Sequence, residues 1–244
     1  MIRFILVATV LVLLLLVSIP FLFLVWILEK INPKISGIIT LYIMKGSFRL
    51  LTTLSGVKLT VIGEENIPDE PVLFIGNHRS FFDILISYPR VKRITSYIAK
   101  KEIGKAPILG IWMKRLHCQF LDRKDPRQGL QVILNAINDI KSGISVCIYP
   151  EGTRNKGEEL SLLPFQKGSF KIGTKSKCAI IPMSVNNTAN IFENHFPAIK
   201  STHVILEYGK PIYIDELDSE DAKHIDKYVH NIIQETINKN ASLV

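Results

Sequence analysis

Residues 72–83 read Val72-Leu73-Phe74-Ile75-Gly76-Asn77-His78-Arg79-Ser80-Phe81-Phe82-Asp83. Four large apolar residues and a glycine run without interruption into a polar turn and the start of a helix. Such a run has no polar face, which is the pattern of a strand buried on both sides in a parallel sheet. Working outward, the same unit recurs: 58–63, 94–99, 118–121, 144–149, 180–185 and 204–208 read as further strands. The stretches 83–87, 108–115, 127–141, 165–174 and 215–239 read as helices. The alternation predicts an α/β fold with a mostly parallel sheet covered by helices. Segments 68–71 and 155–159 read as turns or surface loops.

The amino-terminal part has a different composition. Residues 4–28 are 25 consecutive uncharged residues, mostly Leu, Val, Ile and Phe. As a helix they reach ~37 Å, enough to cross a hydrocarbon core of ~30 Å. No small-x-small cleavage site follows, so the run reads as an anchor that is retained. Pro20 is expected to kink or shorten the helix, which leaves two arrangements open, a full span or a helix that dips into one leaflet beside a second. Residues 35–57 supply that second helix, with Lys45, Arg49, Thr52 and Thr53 on one arc and apolar residues elsewhere. It is expected to lie in the interface with its basic arc at the headgroups. Residues 1–56 are thus read as a membrane-associated pair of helices and 57–244 as the globular domain. Lys30, Lys34, Lys45 and Arg49 follow the apolar run, so the positive-inside bias puts that domain on the cytoplasmic side of the cell membrane. Cys118, Cys147 and Cys178 are odd in number and lack metal or disulfide spacing, which points to reduced core residues.

The net charge is +8, and its location is informative. Residues 90–127 hold 11 Lys and Arg against 3 Asp and Glu, while the remainder holds 19 of each. A concentrated excess of that kind suits an anionic partner.

Two polar stretches leave apolar strands. In the first, His78 in the turn and Asp83 three residues past the N-cap candidate Ser80 can form a general base and its orienting carboxylate. In the second, Tyr149-Pro150-Glu151-Gly152-Thr153-Arg154, Arg154 can grip a phosphate bidentately. Gly152 lets the backbone turn, and Glu151 can pair with Arg154 or orient a substrate hydroxyl. Ligands in parallel α/β sheets gather outside the carboxyl ends of strands, so both stretches can face one site.

The pair Asn77-His78-Arg79-Ser80-Phe81-Phe82-Asp83 and Glu151-Gly152-Thr153-Arg154 resembles the glycerolipid acyltransferase family, specifically the 1-acyl-sn-glycerol-3-phosphate acyltransferases. Phe120-Leu121-Asp122-Arg123 is similar to that family's arginine-bearing second block, and Ile180-Ile181-Pro182-Met183-Ser184-Val185 to its apolar fourth. Phe165-Gln166-Lys167-Gly168 lies where the family often has an aromatic-x-Lys-Gly run. Asn155 stands where the family has Ser. The resemblance spans roughly residues 57–210. It implies that His78, oriented by Asp83, takes a proton from the 2-hydroxyl of lysophosphatidic acid as that oxygen attacks an acyl thioester, giving phosphatidic acid without a covalent acyl-enzyme. Arg154 and Arg123 are then the first candidates for the phosphate, with Lys101 and Lys167 behind them. Glu151, Gly152 and Thr153 complete the substrate-binding set, and Asn77 or amides near Gly152 are expected to steady an oxyanion. Acyl-CoA or acyl carrier protein would be the donor, with no metal and no other cofactor. Membrane lipids are expected partners and nucleic acid is not. Open alternatives are another acceptor, such as glycerol-3-phosphate or another lysolipid, and a non-catalytic membrane-tethered lipid-binding module.

Overall fold

The structure, a computed structural model, describes residues 1–122 and 124–244. The seven expected strands are present as β1 (Val57–Ile62), β2 (Leu73–Gly76), β3 (Thr95–Lys100), β4 (Gln119–Leu121), β5 (Ser145–Ile148), β6 (Ile180–Asn186) and β7 (Thr202–Tyr208). They form one sheet in the order β1-β7-β6-β2-β5-β3-β4. Every neighbouring pair is parallel except β6 with β7. The fold is α/β, as the alternation of runs implied.

β2 occupies the middle of the sheet and is buried at every residue. Successive side chains on a strand point to opposite faces, and the packing follows. Leu73 and Ile75 join the apolar cluster of Ile137, Phe170 and Val229. Val72 and Phe74 join the cluster of Leu41, Phe82 and Trp112 on the other face. At about 1.5–3 kcal/mol for each large apolar side chain removed from water, these two layers dominate the favourable side of folding.

The helices are α1 (Ile2–Ile31), α2 (Pro33–Leu54), α3 (Phe82–Ser87), α4 (Pro107–Arg115), α5 (Pro126–Lys141), α6 (Lys171–Ser176), α7 (Ser219–Lys223) and α8 (Ile225–Asn240). The expected helix at 165–174 is instead a 3₁₀ turn at Lys167–Phe170 followed by α6, and the expected 215–239 helix divides into α7 and α8 at His224.

Among the described residues, α1 is the one helix long and apolar enough to cross a membrane. It does not break at Pro20 but runs through it. Asn32 alone joins α1 to α2, and its side chain accepts from the Ile35 amide while Pro33 opens the helix, a capped start that holds the hairpin closed. α1 also touches the globular part near its start, middle and end. Phe4 stacks on Phe192 at 5.7 Å between centroids, Trp112 Nε1 donates to Ser18 Oγ at 2.8 Å, and Arg115 Nη1 donates to Glu29 Oε2 at 2.8 Å. Its outer side exposes Ile5, Leu6, Val12, Leu16 and Phe23.

α2 differs from expectation in what its basic arc faces. Lys45 Nζ donates to the Val91 carbonyl at 2.9 Å and Arg49 Nη2 to the Pro89 carbonyl at 3.3 Å. The two cations satisfy carbonyls of the turn after α3 rather than turning to headgroups, and burial lowers the Lys45 pKa. The three cysteines are free and buried.

Candidate active site

Three adjacent parallel strands, β6, β2 and β5, bring their carboxyl ends to one edge, with Gly76 beside Met183 and Ile75 beside Ile148. The turns that follow them carry 77–83 from β2, 149–154 from β5 and 187–195 from β6. A site assembled there draws on all three.

His78 and Asp83 meet. Nδ1 of His78 lies 2.7 Å from Asp83 Oδ2, and Asp83 is 0% exposed. The same oxygen accepts from the Arg79 and Ser80 amides, each at 2.8 Å, and Oδ1 accepts from Thr188 Oγ1 at 2.5 Å. A carboxylate with no solvent is tolerable only when its lone pairs are occupied, and four donors occupy these. An ionised carboxylate only accepts, so the network puts the imidazole proton on Nδ1 and leaves Nε2 as the acceptor. Nε2 has no partner among the described residues and reaches solvent, with the side chain 16% exposed.

Ser80 is not the N-cap its spacing to Asp83 predicts, because α3 begins at Phe82 with Phe81 as its N-cap and no side-chain cap bond. Ser80 Oγ accepts from the Phe82 amide at 3.0 Å while Asp83 takes the Ser80 amide. Ser80 is buried and donates its own proton to Glu193 Oε2 at 2.6 Å, so its hydroxyl is taken up in holding the turn.

The turn after β5 clamps the backbone of His78. The His78 amide donates to Glu151 Oε1 at 2.7 Å and the His78 carbonyl accepts from the Asn155 amide at 2.7 Å. Glu151 Oε2 accepts from the Leu163 amide at 3.0 Å. Glu151 therefore pairs with neither Arg154 nor solvent, and burial raises its carboxyl pKa against the opposing pull of those two amides. The Tyr149 ring stacks on the His78 ring at 4.3 Å and 14°. Together these contacts fix the plane and position of the imidazole.

Arg154 Nη1 donates to Glu193 Oε1 at 2.8 Å, and its guanidinium carbon lies 3.9 Å from the centroid of the Phe81 ring. Gly152 has φ of 71°, the left-handed region that favours glycine. Its amide donates to the Tyr149 carbonyl at 3.1 Å, so it is not an oxyanion donor in this arrangement. Asn77 departs further from expectation. Its amide group bonds both the carbonyl and the N–H of Val185, at 2.9 and 2.8 Å, and at 1% exposure it joins β2 to β6 and does not face the site.

Thr153 is exposed at the tip of the turn. It and Glu151 border a cleft of about 580 Å³ whose apolar wall includes Ile98, Leu121, Val132 and Ile148. Lys167 is exposed between Gln166 and Gly168, which line the same cleft. Lys101 is paired with Asp122, which raises its pKa. Arg123 lies outside the described residues. Within the basic segment, Arg90, Lys92 and Arg115 are spent on Glu64, Asp69 and Glu29.

Three site residues escaped the reading of the sequence. Arg79 is buried and donates to the carbonyls of Gly157 and Glu158 at 2.9 and 2.8 Å, pinning what read as a free surface loop. Thr188 and Glu193 follow β6, and the rule that ligands collect at strand ends could have drawn attention to them.

A family model described as Acyltransferase matches residues 58–186. A 1-acyl-sn-glycerol-3-phosphate acyltransferase of Saccharomyces cerevisiae is 29% identical over 171 residues, 70% of this chain and 56% of the relative. One of Borreliella burgdorferi is 31% identical over 172 residues, 70% of this chain and 65% of the relative. The chain thus spans between about half and two thirds of those two proteins. A Helicobacter pylori protein of the same description is 30% identical over 189 residues, 74% of this chain and 78% of its own length. The crystal structure of the 1-acyl-sn-glycerophosphate (LPA) acyltransferase PlsC from Thermotoga maritima has the same fold, with a TM-score of 0.82 and 23% identity over 98% of this chain and 93% of that one. A family model matched across more than half of the sequence, joined by a relative covered across most of its length, makes this chain a member of the acyltransferase family.

Proposed function

We propose that the protein transfers an acyl group from acyl-CoA or acyl carrier protein to the sn-2 hydroxyl of a 1-acylglycerol-3-phosphate, giving phosphatidic acid. The observation that carries the reading is the 2.7 Å bond from His78 Nδ1 to a fully buried Asp83, with Nε2 open. A base of this kind contributes on the order of 10²–10⁴-fold to a proton transfer. Nε2 takes the hydroxyl proton as the oxygen forms its bond to the thioester carbon. The C–S bond breaks as the tetrahedral species collapses, and the imidazolium returns the proton to the departing sulfur. Asp83 stabilises the imidazolium in between. No protein nucleophile enters, and the burial of Ser80 agrees with that.

The acceptor's phosphomonoester is assigned to Arg154, whose remaining guanidinium edge can form a charge-assisted pair. The cleft beside Glu151 and Thr153 has the apolar wall an acyl chain needs. The outward apolar side of α1 supports membrane association, and the lysines that follow its apolar run support a cytoplasmic domain. Docking of α1 along its length favours the arrangement within one leaflet over a full span.

The test is phosphatidic acid formation by purified protein with a panel of lysolipid acceptors and both donor types, using His78→Ala as the blank. Activity on lysophosphatidic acid that falls at least a hundredfold in the variant is expected. Absence of wild-type activity on every lysolipid would refute the assignment and favour a binding module.

A further inference from the structure

We propose that Glu193 is a positioning residue that aims Arg154 at the acceptor phosphate, an inference that rests on the functional reading above and deepens it. Glu193 lies in the 3₁₀ turn Glu193–His195 after β6, far in sequence from both motif turns. Its Oε1 accepts from Arg154 Nη1 at 2.8 Å and from the Phe81 amide at 2.9 Å, and its Oε2 accepts from Ser80 Oγ at 2.6 Å. One carboxylate therefore joins the turn that holds His78 to the side chain of Arg154.

What this does to Arg154 follows from its geometry. The guanidinium carbon lies 3.9 Å from the centroid of the Phe81 ring, which holds the group against that ring. Glu193 then engages Nη1 at 2.8 Å, which limits how the group can turn. Nη2 and Nε have no partner among the described residues and are not buried, so these donors remain available to an anion. A free arginine side chain has rotamer freedom that binding would have to overcome; here folding has already restricted it. The Glu193 turn is itself held in place, because its neighbour Phe192 stacks on Phe4 of α1 and meets Phe196 edge-on. The same carboxylate lowers the net charge next to the phosphate, and Arg154 must keep a partner there while its free edge binds.

The test measures acceptor KM and kcat for Glu193→Ala, Glu193→Gln, Arg154→Ala and the Glu193→Ala/Arg154→Ala double variant, in mixed micelles of lysophosphatidic acid. Each variant is paired with a thermal melt and with the KM for acyl-CoA. Loss of a charge-assisted bond predicts an acceptor KM about 10–100-fold higher in Glu193→Ala, with kcat and donor KM within about threefold of wild type. Glu193→Gln keeps an oxygen for Arg154 and the Phe81 amide but not the charge, and recovers part of that loss. In the Arg154→Ala background, Glu193→Ala adds nothing further, as expected of a residue that acts through Arg154. An acceptor KM that falls in Glu193→Ala would overturn the proposal in favour of a plug displaced by substrate, and full additivity in the double variant would overturn it in favour of an independent role. A uniform loss of kcat with a depressed melt would mean a merely structural residue and would equally overturn it. Failure of the functional reading itself looks different, since the wild type would then form no phosphatidic acid above the His78→Ala blank.

Discussion

Replacing Asp83 with Asn removes one charge while leaving shape and hydrogen bonding nearly intact, and the structure determines why. Three donors converge on Oδ2, from His78 Nδ1 at 2.7 Å and from the Arg79 and Ser80 amides at 2.8 Å. Turning the new NH₂ group toward them would oppose all three, at about 1–3 kcal/mol for each buried bond lost. The amide oxygen therefore takes that place, and Nδ2 faces Thr188, whose hydroxyl can rotate from donor to acceptor. The tautomer of His78 is preserved and only the electrostatic partner of the imidazolium is gone. A charge pair about 4 Å apart at an effective dielectric constant near 20 is worth about 4 kcal/mol. Losing most of it raises the barrier by about 3–4 kcal/mol and lowers kcat by about 10²–10³-fold. The assay is steady-state acyl transfer to lysophosphatidic acid in detergent micelles, alongside a thermal melt that establishes the variant as folded. A folded Asp83→Asn enzyme within tenfold of wild type would refute the role given to this carboxylate.

Thr188→Val deletes the donor to Asp83 Oδ1 and leaves a buried carboxylate oxygen short of one bond, so we expect a loss of about 1–3 kcal/mol in stability and a fall in kcat, read by melt and turnover together. Gly152→Ala meets no steric obstacle, since nothing lies within 4 Å of the added carbon, but the φ of 71° strains it by about 1–2 kcal/mol; an unchanged melting temperature would show that the turn relaxes. Burial holds the Glu151 pKa above its ordinary 4.5, so the native state binds this proton more tightly than the unfolded chain does. Its contribution to stability is complete below pH 4.5 and is lost as pH rises through the raised native value. Urea unfolding at a series of pH values should show a shallower decline in Glu151→Gln than in wild type across that window.

The central strands β2, β5 and β6 were legible because they are buried at every residue and so mostly apolar, and β1 because its burial alternates as a strand's does. The His78–Asp83 contact was legible because five residues separate the partners and the turn between them is short. Thr188 and Glu193 were not, because 105 residues separate Thr188 from Asp83 and 112 separate Glu193 from Phe81. No local pattern encodes a contact made through the parallel pairing of β2 with β6. Asn77 shows the same limit from the other side. Its amide lies beside the catalytic candidate in sequence, yet strand pairing turns it to Val185. The basic arc of α2 was visible as an arc, but periodicity gives a direction around a helix and not the surface it meets. Lys45 finds a backbone carbonyl there. Pro20 costs a helix one hydrogen bond, and α1 accommodates it without ending.

The docking of α1 along the globular part has a consequence for how substrate supply should be measured. Under the proposed function, an enzyme whose apolar flank is sunk in lipid would meet its acceptor by lateral diffusion in two dimensions, with the strand-end site held at one orientation to the bilayer plane. Saturation then depends on the mole fraction of lysolipid in the surface, and bulk molarity drops out. Diluting the acceptor with inert detergent or phospholipid at constant total acceptor should slow the reaction, whereas adding more surface of the same composition should leave the rate per bound enzyme unchanged.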